Sequence, residues 1–213
     1  MLADFIPEPS VLAAYALAAL VLGLTPGPDM TFFLSKTIAQ SRTAGFAAFF
    51  GASTGLIVHT MLVAAGLSAL LAASETAFTI LKVVGAIYLL YLAWDALRNG
   101  SALSLPKGAA PEPLRTIYLK GLLINVLNPK IIVFFVTFLP QFVSPGDPAA
   151  AKKLLFLGAF FMVVNVPLCS AMILFADAIA RALGRSGRVT RVIDWLFAGV
   201  LAGFAVKLIL TQR

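Results

Sequence analysis

Apolar residues in this chain come in long blocks, separated by short polar punctuation. The first block, 11–24, is short for a membrane crossing, which takes roughly 20 residues. It runs into Thr25-Pro26-Gly27-Pro28-Asp29 and resumes over 30–38. We read the whole as one discontinuous helix, with Lys36 and Arg42 at its far end. Residues 44–73 hold no formal charge apart from the titratable His59, and exceed the length a perpendicular helix needs, which predicts tilt or a protruding end. Glu75 marks a turn, and 78–97 predicts a third helix with Lys82 near its start and Asp95 near its end. Residues 99–116 have loop composition, rich in Gly, Pro and small side chains. A fourth helix, 117–142, is broken at Asn128-Pro129; a fifth, 154–176, is expected to be interrupted at Asn165 and Pro167; after a basic loop, 192–210 predicts a sixth.

These blocks predict an all-α, polytopic membrane protein of about six transmembrane helices, with helices one and four broken. A single transmembrane domain over 1–213 would consist of halves 1–98 and 117–213 joined by the linker 99–116. The halves echo each other: Pro28-Asp29 and Pro129-Lys130 are both followed by paired aromatics, Phe32-Phe33 and Phe134-Phe135. Ala48-Phe49-Phe50 is matched by Ala159-Phe160-Phe161. Three helices per half make the second copy enter from the opposite side, so the expectation is two inverted three-helix repeats of the kind that supports alternating access.

Composition agrees. The chain is 61% hydrophobic and 12% charged, against about 25% charged in soluble domains, and its mean hydropathy is +0.98. The net charge of +7 does not point to nucleic acid, because the basic residues are scattered between apolar runs with no basic face and interleaved aromatics. With the amino terminus outside, the inner loops hold Lys36 and Arg42, then Arg98, Lys107, Arg115 and Lys120, then Arg181, Arg185, Arg188 and Arg191. Only Lys152, Lys153 and Arg213 fall outside, so the positive-inside rule predicts a multi-pass protein with both termini periplasmic or extracellular. Asp4 and Glu8 stand where a signal peptide would carry basic residues, so the first block is expected to stay in the mature protein. One cysteine and one histidine offer no metal set and no nucleophile–base pair, so neither a metal, a cofactor nor an enzyme is expected.

The chemistry concentrates at the breaks. Backbone that cannot close its own hydrogen bonds is tolerated at membrane depth only beside protein or a watery cavity, and paired broken helices point to a transporter's binding site. Thr25, Pro26, Gly27, Pro28 and Pro129 are the helix-breaking residues. Asp29 reads either as a cap of the helix starting at Met30 or as a proton carrier in a polar pathway. Lys130 either snorkels to an interface or, with roughly 12 residues on each side, lies near mid-membrane and needs a carboxylate, a carbonyl or a substrate. Asn125 and Asn128, three apart, share a helix face; beside the carbonyl that Pro129 frees, they could bind a zwitterion or glue helices together. Asn165 next to Pro167 presents a similar choice. His59 reads more simply as a packed polar residue, and Cys169 as a small buried one. Gly51/Gly55 and Gly199/Gly203 have the spacing that brings helices close. Tyr88, Tyr91 and Trp94 could anchor at the membrane interface.

Three stretches resemble the LysE/RhtB family of amino-acid exporters, in family order: Thr25-Pro26-Gly27-Pro28-Asp29; Leu81-Lys82-Val83-Val84-Gly85-Ala86-Ile87-Tyr88-Leu89; and Asn128-Pro129-Lys130 with Phe134-Phe135 and Leu139-Pro140-Gln141-Phe142. The resemblance runs over essentially the whole chain. It implies a secondary active transporter of the bacterial inner (plasma) membrane, exporting an amino acid or derivative, driven by proton antiport. It implies pathway roles for Asp29, Asn128 and Lys130, with Lys82 and Tyr88 behind them. A carrier for a small inorganic ion, or a non-transporting membrane assembly protein, remains an alternative. The implied partners are a small amino-acid substrate, protons and the lipid bilayer; a homo-oligomer stays open.

Overall fold

A computed structural model of the chain describes residues 6–25, 27–67, 75–99, 111–144 and 147–176, and scattered positions from 178 to 206. Among the described residues the protein is helical and contains no strand. Helix α1 is Pro9–Leu24 and α2 Pro28–Ala39. Helix α3, Arg42–Leu62, ends in a wider π turn over Val63–Leu67. Helix α4 is Glu75–Asn99 and α5 Leu114–Val126. Helix α6, Pro129–Val133, continues through a π turn, Phe134–Phe138, and a 3-10 turn, Leu139–Phe142. Helix α7 is Ala150–Leu174. The sixth predicted segment lies outside the described residues except at single positions, as do Pro26 and the side chains of Lys82 and Tyr88.

Helix α3 extended to Gly66 and helix α7 each run 25 residues, which at about 1.5 Å per residue exceeds a hydrocarbon core of about 30 Å. Both are long and apolar enough to cross a membrane; so are α1–α2 and α5–α6, each taken as one span bent by 54° and 48° respectively. Apolar side chains point outward as well as inward: Leu17 is 57% exposed and Val163 68%. A helix apolar on every side is one that lipid can surround. The protein is therefore a polytopic helical membrane protein whose first and fourth predicted helices are broken.

Small residues decide which helices touch. A Cβ on Gly51 would run into Tyr118 O, and one on Gly121 into Ala48 O, so α3 and α5 lie backbone to backbone. Helix α3 begins cleanly because Ser41 Oγ accepts the Ala44 N–H at 3.1 Å. At Gly199 and Gly203 a Cβ would meet nothing within 4 Å among the described residues. The contact described in this region is between alanines, Ala86 and Ala93 of α4 clustering with Ala198, Ala202 and Ala205. Helix α7 departs from expectation, running unbroken through Pro167. Pro167 removes the donor for one carbonyl, Val163 O, a loss that membrane helices tolerate through neighbouring helices and local adjustment; two residues earlier, Asn165 turns its amide back onto Phe161 O at 3.0 Å.

The buried apolar residues form two main clusters. One gathers Tyr15, Phe134, Phe135, Phe138 and Phe161 around the contact of α1, α6 and α7. The other joins Met30, Phe33, Phe49, Ile117 and Cys169 from α2, α3, α5 and α7. Polar side chains from the two breaks lie between them.

Candidate functional site

Thr25 holds φ −67° and ψ 120°, the extended conformation a proline imposes on the residue before it. Its N–H and hydroxyl both return to Val21 O, at 2.9 and 2.6 Å. Leu22 O has no such partner in its own helix, because the residue four places on is Pro26, which lacks an N–H. The chain runs extended through Gly27, and α2 starts at Pro28 with no side-chain cap. Asp29 sits in the first turn of α2. Rather than capping its own helix, it receives two donors from the second half: Asn125 Nδ2 at 3.0 Å and Asn128 Nδ2 at 2.8 Å, both on Oδ2. Its Oδ1 is buried and meets no donor.

The second break repeats the pattern. Asn128, with φ −72° and ψ 109°, is extended before Pro129, and its Oδ1 caps α6 by accepting the Lys130 N–H at 3.0 Å. Pro129 leaves Asn125 O without its usual helical partner. The Asn128 N–H at 3.0 Å and His59 Nε2 at 3.2 Å take its place. A carbonyl only accepts, so Nε2 carries the proton. His59, read from the sequence as a packed polar residue, is buried and completes the break.

Lys130 is 8% exposed. Its ammonium donates to Leu22 O at 2.9 Å and Thr25 O at 2.6 Å. The cation from the second break thus fills the gap that Pro26 leaves in the first. Asp29 and Lys130 line one cavity, but each is bonded to other groups.

The cavity encloses about 70 Å³, room for several waters at roughly 10–15 Å³ each. Residues of both apolar clusters wall it, together with Ser53, Asn165 and Cys169. Asn165 Nδ2 reaches Ala19 O at 3.4 Å, and its Oδ1 sits where a Cβ on Gly23 would be. Sequence reasoning missed Gly23 and Ser53; neither has a local pattern that marks it. Among the described residues no group of His, Cys, Asp and Glu could hold a metal. What the walls offer is a half-buried carboxylate with one free oxygen, amide side chains and a small space between two bent helices.

A family model of LysE type translocators matches residues 20–212. The chain is 33% identical over 167 residues to a homoserine/homoserine lactone efflux protein of Salmonella typhimurium, covering 78% of this chain and 81% of that one. It is 28% identical over 201 residues to a leucine efflux protein of Salmonella choleraesuis, covering 93% and 94%. An uncharacterized membrane protein of Vibrio cholerae is 31% identical, covering 92% and 94%. No solved structure matches significantly. Broken membrane helices meeting around a cavity that holds a carboxylate, an ammonium and amides suit a carrier rather than an enzyme, and with the match over nearly the whole chain, the protein belongs to the LysE type translocator family.

Proposed function

We propose that this protein is a secondary carrier of the bacterial inner membrane that exports an amino acid or amino-acid derivative, in exchange for protons. The relatives named above support the cargo class. The observation that carries the reading is Asp29: a carboxylate placed by one helix break, held by two asparagines of the other, in a cavity between them. A charged group so placed within a membrane protein marks a substrate or proton path. Asp29 takes a proton from outside, releases the cargo's ammonium and resets the carrier inward. Asn125, Asn128 and Lys130 shape the site, and Asn165 walls it; Lys82 and Tyr88 stand as further pathway residues on the resemblance alone. The two bent pairs are the broken members of two inverted halves, which rock against each other, with both termini periplasmic.

The test is amino-acid uptake into inverted vesicles carrying the wild-type chain or Asp29→Asn. The wild type is expected to accumulate cargo when a proton gradient is imposed. Asp29→Asn is expected to lose gradient-driven uptake. Undiminished proton-driven transport by the variant would remove Asp29 from coupling.

A further inference from the structure

The exporter reading leaves open which part of a zwitterion the cavity grips, and the following rests on that reading. A matched pair of charges would hold both ends of an amino acid, but the two charged groups here are not equally available. Lys130 has committed its ammonium to Leu22 O and Thr25 O. Leu22 O has lost its helical donor to Pro26, so moving the ammonium to a cargo carboxylate would leave two buried carbonyls bare. The first turn of α2 has free backbone N–H groups, but it also carries Asp29, whose charge repels a second carboxylate.

Acceptors are the opposite case. Asp29 Oδ1, on a residue that lines the cavity, is buried without a donor; Asn125 Oδ1 also lacks one but lies against Gly55, which is not part of the cavity wall. An ammonium brings three donors and no acceptor, whereas a carboxylate brings acceptors only. The unsatisfied carboxylate oxygen at the cavity is therefore complementary to an amine.

We infer that the carrier selects its cargo by the amine, seated at Asp29 Oδ1, and that the carboxylate of the cargo is dispensable. Amides, esters and lactones of a carried amino acid are cargo as well; N-acylated forms are not. A homoserine lactone, which has an amine and no carboxylate, obeys this rule.

The full chain in proteoliposomes, at equal pH on both sides, is assayed for exchange of each labelled common amino acid. Each exchanging acid is then competed with its amide and its N-acetyl derivative. The expected result is that the amide competes as well as the unlabelled acid and the N-acetyl derivative does not compete. Failure of the amide, or competition by the N-acetyl derivative, overturns amine selection while leaving the exporter reading standing, since the acid itself exchanges. Exchange of no amino acid overturns the exporter reading, and amine selection with it.

Discussion

The two helix breaks start from the same defect and end differently. In each, a proline removes the donor for a carbonyl four residues earlier, Leu22 O in the first and Asn125 O in the second. The second break largely mends itself. Asn128 caps α6 with its side chain, its own N–H returns to Asn125 O, and His59 adds one bond from α3. The first break has no side-chain cap on α2, and Leu22 O and Thr25 O both depend on Lys130, more than one hundred residues away. Lys130 is badly placed for its own helix, since a cation near a helix N-terminus opposes the macrodipole. Its side chain carries the charge to the carboxyl end of α1, where the dipole favours it. The carboxylate proposed to move protons thus stands in the break that cannot hold its shape alone. That is where a small push from cargo or proton has the most to move.

The largest expected effect comes from removing the cation. Lys130→Met leaves two carbonyls without a donor, at about 1–3 kcal/mol each. His59→Leu leaves Asn125 O with the Asn128 N–H still in place, so only one bond of about 0.5–1.5 kcal/mol is lost. Thermal unfolding in detergent should therefore place the Tm of Lys130→Met well below that of His59→Leu. Equal losses would show that the two breaks are equally self-sufficient and would break the comparison.

A smaller contrast lies within the asparagine pair. Asn125→Ala removes one hydrogen bond to a carboxylate, about 1.5–3 kcal/mol. Asn128→Ala removes a similar bond together with the cap of α6, which adds about 1 kcal/mol. The same unfolding measurement should rank Asn128→Ala as the more damaging. The reverse order would mean that the cap contributes nothing and that Asn128 serves Asp29 alone.

Both breaks were legible because proline acts locally: it restricts the residue before it and silences one donor, and both effects can be read from Thr25-Pro26 and Asn128-Pro129 without a structure. The shared face of Asn125 and Asn128 was legible from helical spacing. The interruption expected at Asn165 and Pro167 did not occur, because a proline removes a bond without dictating whether the helix stops. The partners were not legible. Whether Lys130 would reach Asp29, a carbonyl or an interface depends on how α1 and α6 cross, and a tether spanning 108 residues leaves no trace in local pattern. The same holds for Gly23 under Asn165, and for Glu112, which the sequence marked only as part of a linker.

Glu112 supplies the smallest and most condition-dependent contrast. It joins the ends of α2 and α5 that lie away from the breaks, at the same two bent spans, with ionic bonds. Its carboxylate bonds Lys36 Nζ at 2.5 Å and Lys120 Nζ at 2.6 Å, while Gln40 pairs with its backbone at 2.9 and 3.0 Å. Hydrogen bonds from Lys120 and then Lys36 hold its pKa below the usual 4.5. A carboxyl whose pKa is lower in the folded state stabilises the fold above its unfolded value, and that contribution is lost as pH falls through the folded one. Glu112→Gln should therefore lower the Tm slightly near neutral pH, and the difference from wild type should fade on acidification below 4.5. Added salt should shrink it as well, because Lys120 is exposed and Glu112 only partly covered, so their charges are screened. The Lys130→Met difference should withstand the same salt, since its ammonium is buried against carbonyls. If both differences fell together with salt, Lys130 would be in contact with water, and the buried tether between the two breaks would not exist as described.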